Sequence, residues 1–293
     1  MKSKNILLLG RGTIAVNCLK IFKQNKVLPK IIICDSQDDG IDTWSKSLYK
    51  QAKKIGYKEG VNLFRQTKVN DPLFIKRLKK KKILIDIIFS VQPKAIFKND
   101  FIELAGEHIF NLHFAPLPKL RGVQTSSWAI IDGLKSMGVT IHLITKKGVD
   151  DDPIVYQKLF PIRKNDTART LYDKCVDHGT GLLKNVLSKL LLNKFTSKPQ
   201  DHTAATYHAL NEFDYSDLTV PENQTIEQTS RFIRSRIFPP LQRPFFYFDD
   251  EKIFINEVLT EILKKPQKQL FKRKDLYYYP CLNGTLTLRG SRK

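Results

Sequence analysis

Asn111 and His113 stand two residues apart in the run IFNLH, where an apolar stretch breaks into FAPLPKLRG. In a strand, residues i and i+2 share a face, so the amide and the imidazole project together at the strand's carboxyl end. An imidazole can hold or move a proton near neutral pH. An amide N–H can hold a developing oxyanion. Further on, GVDDDP (Gly148–Pro153) brings carboxylates to the end of the next strand pattern. A carboxylate beside a histidine fixes its tautomer and stabilises its cation. This set suits a reaction that builds negative charge on an oxygen and moves one proton. The alternative is structural: Asn111 caps the loop and the aspartates form a turn. The remaining histidines, His108, His142, His178, His202 and His208, show no HExxH-type spacing, so no metal site is expected. His142 alternates within a strand and reads as structural.

The elements that must position this pair follow from apolar runs alternating with helical patterns. Asn5–Leu9 reads as a strand and leads through a glycine turn into a helix to about Phe22. Lys30–Cys34, Val61–Arg65, Ile83–Val91 and His108–His113 read as further strands, with helical stretches near Thr43–Ile55 and from Asn70-Asp71-Pro72 onward. Such alternation predicts βαβ units and a parallel-rich sheet, in which ligands bind beyond the carboxyl ends of the strands. Beyond the loop, Gln124–Ile131 reads as helix, Val139–Thr145 and Ile154–Ile162 as strands, and Asp166 to about Leu192 as a long helix with a double apolar stripe. NKFTSKPQDHTAATYH is polar and lacks an apolar period, so it reads as a linker. The fold class is therefore α/β: a Rossmann-like domain over 1–192, a linker over 193–220, and a small, mostly β unit over 221–293. That last unit has a helix near Thr225–Ile237 and strand candidates FFYF, KIFINEV, DLYYYP and TLTLRG.

With 41% hydrophobic residues among 293, the chain can bury a real core. Its formal net charge of +21 fits either a polyanionic partner or an ordinary lysine-rich surface. Cys18, Cys34, Cys175 and Cys281 are far apart, which argues against a disulfide framework or zinc ribbon and for a reducing, cytoplasmic setting. The first apolar run is interrupted by Arg11 and reads as a strand rather than a leader, and no run has the length of a membrane span. LLGRGTIA, with Gly10, Gly12 and Ala15, passes the crude dinucleotide test, and Asp35 lies where a ribose-binding acid would. Many α/β folds need a glycine turn there with no nucleotide bound.

The run NLHFAPLPKLRG, then SSWAI, GVTIH and GVDDDPIVYQ, in that order, resembles the 10-formyltetrahydrofolate-dependent formyltransferase family. The resemblance covers roughly Asn5 to Gln157 and continues more faintly through ATYHALNEFDYSD. It implies a Rossmann-like formyltransferase domain with a small C-terminal accessory domain, and it assigns the Gly10–Gly12 turn to the fold rather than to a dinucleotide. By position it implies catalytic roles for Asn111, His113 and Asp150. Asp151 and Asp152 stand where the family often has small residues, which leaves the backbone shape of that loop open. The cosubstrate implied is 10-formyltetrahydrofolate, lying against the segment that holds Phe89, Ser90, Gln92 and Ile96.

The family divides by amine acceptor. Phe114-Ala115-Pro116-Leu117-Pro118, followed by VQTSSWAI, looks more like the sugar N-formyltransferases than like methionyl-tRNA formyltransferase. The expected acceptor is a nucleotide-linked amino-dideoxysugar, dTDP-4-amino-4,6-dideoxyglucose or a 3-amino relative, destined for a surface polysaccharide such as an O-antigen. Arg121, Gln124, Arg231 and Arg234 are the candidates for holding it, and Trp128 reads as core beneath the loop. A homodimer with no nucleic-acid or membrane partner is expected. The alternatives are transfer to initiator tRNA, which the charge would suit, and a non-catalytic binder on the same fold.

Overall fold

The computed structural model describes residues 4–38, 44–145, 148–216, 218–263, 267 and 269–292. The chain forms two compact units, one from Met1–Arg121, Gly138–Lys158 and Cys175–Thr206, the other from Gly122–Met137, Leu159–Lys174 and Tyr207–Lys293. In chain order the elements begin with β1 (Ile6–Gly10), α1 (Gly12–Gln24), β2 (Ile31–Cys34), α2 (Leu48–Lys54), β3 (Leu63–Arg65), α3 (Pro72–Lys79) and β4 (Ile85–Val91). They continue with α4 (Asn99–Ile102), β5 (Ala105–His113), β6 (Arg121–Gly122), α5 (Thr125–Ile131), β7 (Ser136–Leu143), β8 (Ile154–Pro161) and α6 (Ala168–Leu191). The last are β9 (Tyr207–His208), α7 (Ile226–Arg236), β10 (Phe245–Phe248), β11 (Glu251–Leu263), β12 (Phe271–Arg273), β13 (Leu276–Cys281) and β14 (Gly284–Ser291).

The first unit is organised by a sheet of order β3-β2-β1-β4-β5-β7-β8. β1 to β5 pair in parallel, while β7 runs antiparallel against β5. β1 and β2 are buried at every residue, as expected of central strands covered on both faces. Leu7, Leu9, Ile31, Ile33, Ile88 and Ile109 form one buried cluster with Phe74, Ile75 and Phe101. Phe22 of α1 packs edge-on against Phe89 of β4, with ring centroids 5.1 Å apart. Of the two helix-start candidates, Asp71 is the cap of α3: its carboxylate accepts from Leu73 N at 2.9 Å, with Pro72 in the first turn. Asn70 instead bonds Ile96 O and Lys98 N, fixing the segment after β4.

The second unit carries the small β structure expected from the C-terminal run. Five antiparallel strands lie in the order β10-β11-β14-β13-β12. Phe246, Ile253, Ile255, Tyr277, Tyr279 and Leu288 form its core with Ile233 and Ile237, the former from α7. A capping box starts that helix, with Thr225 and Gln228 satisfying each other's backbone N–H groups. β12 falls within KQLFKRK, which reads in sequence only as a basic run. Among the described residues no helix is long and apolar enough to cross a membrane.

Candidate active site

β5 holds the site because its neighbours fix it on both sides. Ser90 of β4 lies opposite Asn111, and on the antiparallel side His142 of β7 does. Cross-strand partners share a face, so His142 joins Asn111. Asn111 Nδ2 is 3.0 Å from His142 Nε2. His142 Nδ1 is 2.6 Å from the carbonyl oxygen of Leu143. A carbonyl oxygen can only accept, so that short bond requires a proton on Nδ1.

Asp150 completes the cluster. Its Oδ1 is 3.3 Å from His142 Nε2 and 3.4 Å from Asn111 Nδ2, and its Oδ2 is 3.8 Å from His113 Nε2. His113 Nε2 also lies 3.1 Å from the Leu120 carbonyl oxygen. One carboxylate thus stands between two imidazoles and one amide, all in a site from which water is largely excluded: Asn111 and His113 are 4% and 7% exposed. Asn111 Oδ1 and Ser90 Oγ are buried without a hydrogen-bond partner. Such atoms carry an unrecovered desolvation cost, and at a site they are where an incoming N–H or O–H would bind.

Two features shape the aspartate loop. Asp150 adopts the left-handed conformation, φ 52°, which Asp enters more readily than most residues. Asp152 is 1% exposed and accepts from the Thr145 backbone N–H at 2.8 Å and from the Thr145 hydroxyl. The third aspartate is therefore a strut across the loop. The proline loop is held by Gln157, whose Nε2 donates to Leu117 O at 2.8 Å, and by Thr140, whose hydroxyl donates to Ala115 O at 2.7 Å.

Around this cluster the other sequence candidates divide. The Phe89 ring is in the core between Phe22 and Phe110. Ser90 is wholly buried, Gln92 is partly exposed with its carbonyl oxygen accepting from Arg11 Nε at 3.1 Å, and Ile96 is 66% exposed. Arg121 is 9% exposed, and its guanidinium donates to Gln200 Oε1 from Nε (3.2 Å) and Nη2 (2.9 Å), with His202 Nδ1 3.2 Å from Nη2. In the second unit, Gln124 precedes α5 with φ 56°. Arg231 donates to Ile131 O and to Glu227, and Arg234 to Asp166 O and to Ser230 Oγ. Burial, then the charge of Arg231, pulls the Arg234 guanidinium below its ordinary range. Trp128 is half-buried and stacks on His208 at a centroid distance of 4.0 Å.

Two residues of the site were not singled out by spacing. His142 reads as one more alternating strand residue, and only the β5–β7 register brings it to Asp150. Gln200 lies in a stretch that reads as linker. Its Nε2 donates to the carbonyl oxygens of Asp150 (2.8 Å) and Asp152 (2.7 Å).

Comparison with known proteins gives the family. Residues 4–187 match the formyl transferase family. The chain is 30% identical over 258 residues to the bifunctional polymyxin resistance protein ArnA of Wigglesworthia glossinidia brevipalpis, covering 87% of this chain but only 38% of that protein. It is 26% identical to methionyl-tRNA formyltransferase of Caldanaerobacter subterraneus, over 98% of this chain and 93% of that protein. Among solved structures, WlaRD, a sugar 3N-formyl transferase crystallised with dTDP and 5-N-formyl-THF, superposes with a TM-score of 0.78 at 25% identity, covering 100% of both chains. The N-formyltransferase from Helicobacter canadensis, in complex with folinic acid and dTDP-3-aminofucose, gives 0.77 at 24% identity over 98% of this chain and 99% of that one. With the family match spanning the whole Asn111–His113–Asp150 region, the chain belongs to the formyl transferase family and is a formyl-transfer enzyme.

Proposed function

We propose that the chain moves the formyl group of 10-formyltetrahydrofolate onto the amine of a nucleotide-linked amino-dideoxysugar. The observation that carries this reading is the buried cluster of Asn111, His113, His142 and Asp150 at the carboxyl end of β5. The acceptor class rests on the full-length likeness to WlaRD, which leans toward a dTDP-linked 3-amino sugar over its 4-amino isomer. Such a product belongs to the assembly of a surface polysaccharide, O-antigen included. The proposed setting is the cytoplasm, and the proposed assembly a homodimer through the aromatic strands after Phe245, where Tyr247 is 59% exposed.

In the proposed reaction the neutral amine attacks the formyl carbon. The carbonyl electron pair moves onto oxygen and a tetrahedral oxyanion forms. Asn111 and His113 donate hydrogen bonds to that oxygen; the Asn111 N–H that makes only a long, 3.4 Å contact with Asp150 is the one available to it. Asp150 takes the proton that the amine loses. As the oxyanion collapses, the bond from the formyl carbon to the folate nitrogen breaks, and that nitrogen receives the proton. Protons balance, and no covalent enzyme intermediate is needed. The unpartnered Asn111 Oδ1 suits the N–H of an incoming amine. Phe89, Ser90, Gln92 and Ile96 mark the segment along which the folate lies, Ile96 being the one broadly exposed. The attacking amine must be neutral, so the rate rises with pH until the substrate amine has lost its proton.

A second reading, transfer to initiator methionyl-tRNA, is favoured by the 26% identity across 93% of the Caldanaerobacter enzyme and by the +21 charge. Incubating the protein with 10-formyltetrahydrofolate and each acceptor class separates the two: a mass gain of one formyl group on the dTDP-amino sugar supports the first, and a gain on the tRNA alone overturns it.

A further inference from the structure

The side chains that would react are held by two loops, and one later segment of the chain grips both. Backbone N–H and C=O of Lys198 pair with Ile154 O and N, both at 2.8 Å, which lays the stretch after α6 across the foot of the aspartate loop. Two residues on, the Gln200 amide donates to the carbonyl oxygens of both Asp150 and Asp152. Its oxygen accepts from the Arg121 guanidinium of the proline loop. Further along the same segment, Thr206 accepts twice from that loop, its carbonyl from Arg121 N (2.9 Å) and its hydroxyl from Leu120 N (2.8 Å). Leu120 in turn presents the carbonyl oxygen that lies 3.1 Å from His113 Nε2.

We infer that Gln200, working with Arg121, is a positioning residue that sets the spacing between Asp150 and His113. This inference rests on the formyl-transfer reading. Gln200 is suited to the task because an amide has a donor end and an acceptor end, and each meets its opposite here. Its donor end holds Asp150 at a backbone conformation, φ 52°, that costs an L-residue free energy unless the surroundings fix it. Its acceptor end takes two N–H groups of the buried Arg121 guanidinium, Nε and Nη2. At 6% exposure Gln200 is not placed to bind bulk solvent instead.

Gln200→Glu tests this directly. The carboxylate keeps the volume and the Arg121 partner but turns an oxygen toward two carbonyl oxygens, so only the grip on the aspartate loop is lost. Gln200→Ala is the second variant. Asp201→Ala is the control, since that carboxylate bonds within its own turn, at Thr203 and Ala204, and touches neither loop. Expected for both Gln200 variants is a kcat lower by about 100-fold, the scale of a misplaced reacting group, with KM for folate and amine moved less than about threefold. Amide hydrogen exchange over residues 148–154 should quicken about tenfold or more, with the rest of the chain and the control unchanged. A kcat within threefold of the unaltered protein, or a loss carried by KM, overturns the positioning role. If the unaltered protein transfers no formyl group, it is the functional reading that fails. The exchange then decides the grip alone, and unchanged exchange overturns it.

Discussion

At the scale of single residues, Asp150 meets three partners at once, and each fixes a different part of the proposed chemistry. Replacing His113 by Ala removes one donor to the oxyanion, and kcat should fall by about 100- to 1,000-fold with the folate still bound, as measured by single-turnover transfer and folate titration. Asp150→Asn keeps the shape and removes the proton acceptor; a fall of about 100-fold or more in kcat is expected. Ser90→Ala deletes a buried hydroxyl that has no partner, so the thermal midpoint should stay level or rise rather than fall. The pair Asn111 and His113 was legible in the sequence because an i, i+2 pair at a strand end must share a face. Asp150 was legible only through the family resemblance, because three adjacent aspartates look alike until the loop separates them. His142 was not legible: alternation marks a core residue and a site residue identically, and the β5–β7 register that decides between them is a long-range fact.

At the scale of elements, pairing and packing hold β5 in place. β5 is bonded on both edges, and Phe110, one residue before Asn111, is 1% exposed and packs on Phe89 and Phe195 at 5.4 and 5.3 Å. Phe110→Ala should destabilise the protein by about 3–5 kcal/mol, read from denaturant unfolding. All four cysteines are buried. Burial lifts the Cys18 and Cys34 thiols to about 12 and raises those of Cys175 and Cys281. Thiolate is the reactive form, so a thiol reagent at pH 8 should label none in the folded protein and all four after guanidinium unfolding. The alternating strands and helices up to β5 were readable because buried parallel strands are short apolar runs. Two features were not. β12 is masked by lysine and arginine on an edge strand, and the Lys198–Thr206 segment is polar because its role is to bond loops rather than to fill a core.

For the whole molecule the open question is what the positive charge meets. Arg121, Arg231 and Arg234 all have carbonyl or side-chain acceptors within the protein, so their charge is at least partly spent on structure. A nucleotide-sugar substrate engages few cations, so kcat/KM should fall only a few-fold between 50 and 200 mM salt; a tRNA substrate, neutralising many phosphates, would lose orders of magnitude. The measurement that tests the central claim most directly is formyl transfer from 10-formyltetrahydrofolate, with a dTDP-3-amino or dTDP-4-amino sugar in one tube and methionyl initiator tRNA in the other, read by product mass. The account predicts one added formyl group on the sugar, absent with His113→Ala. Formylated tRNA with unchanged sugar would contradict it.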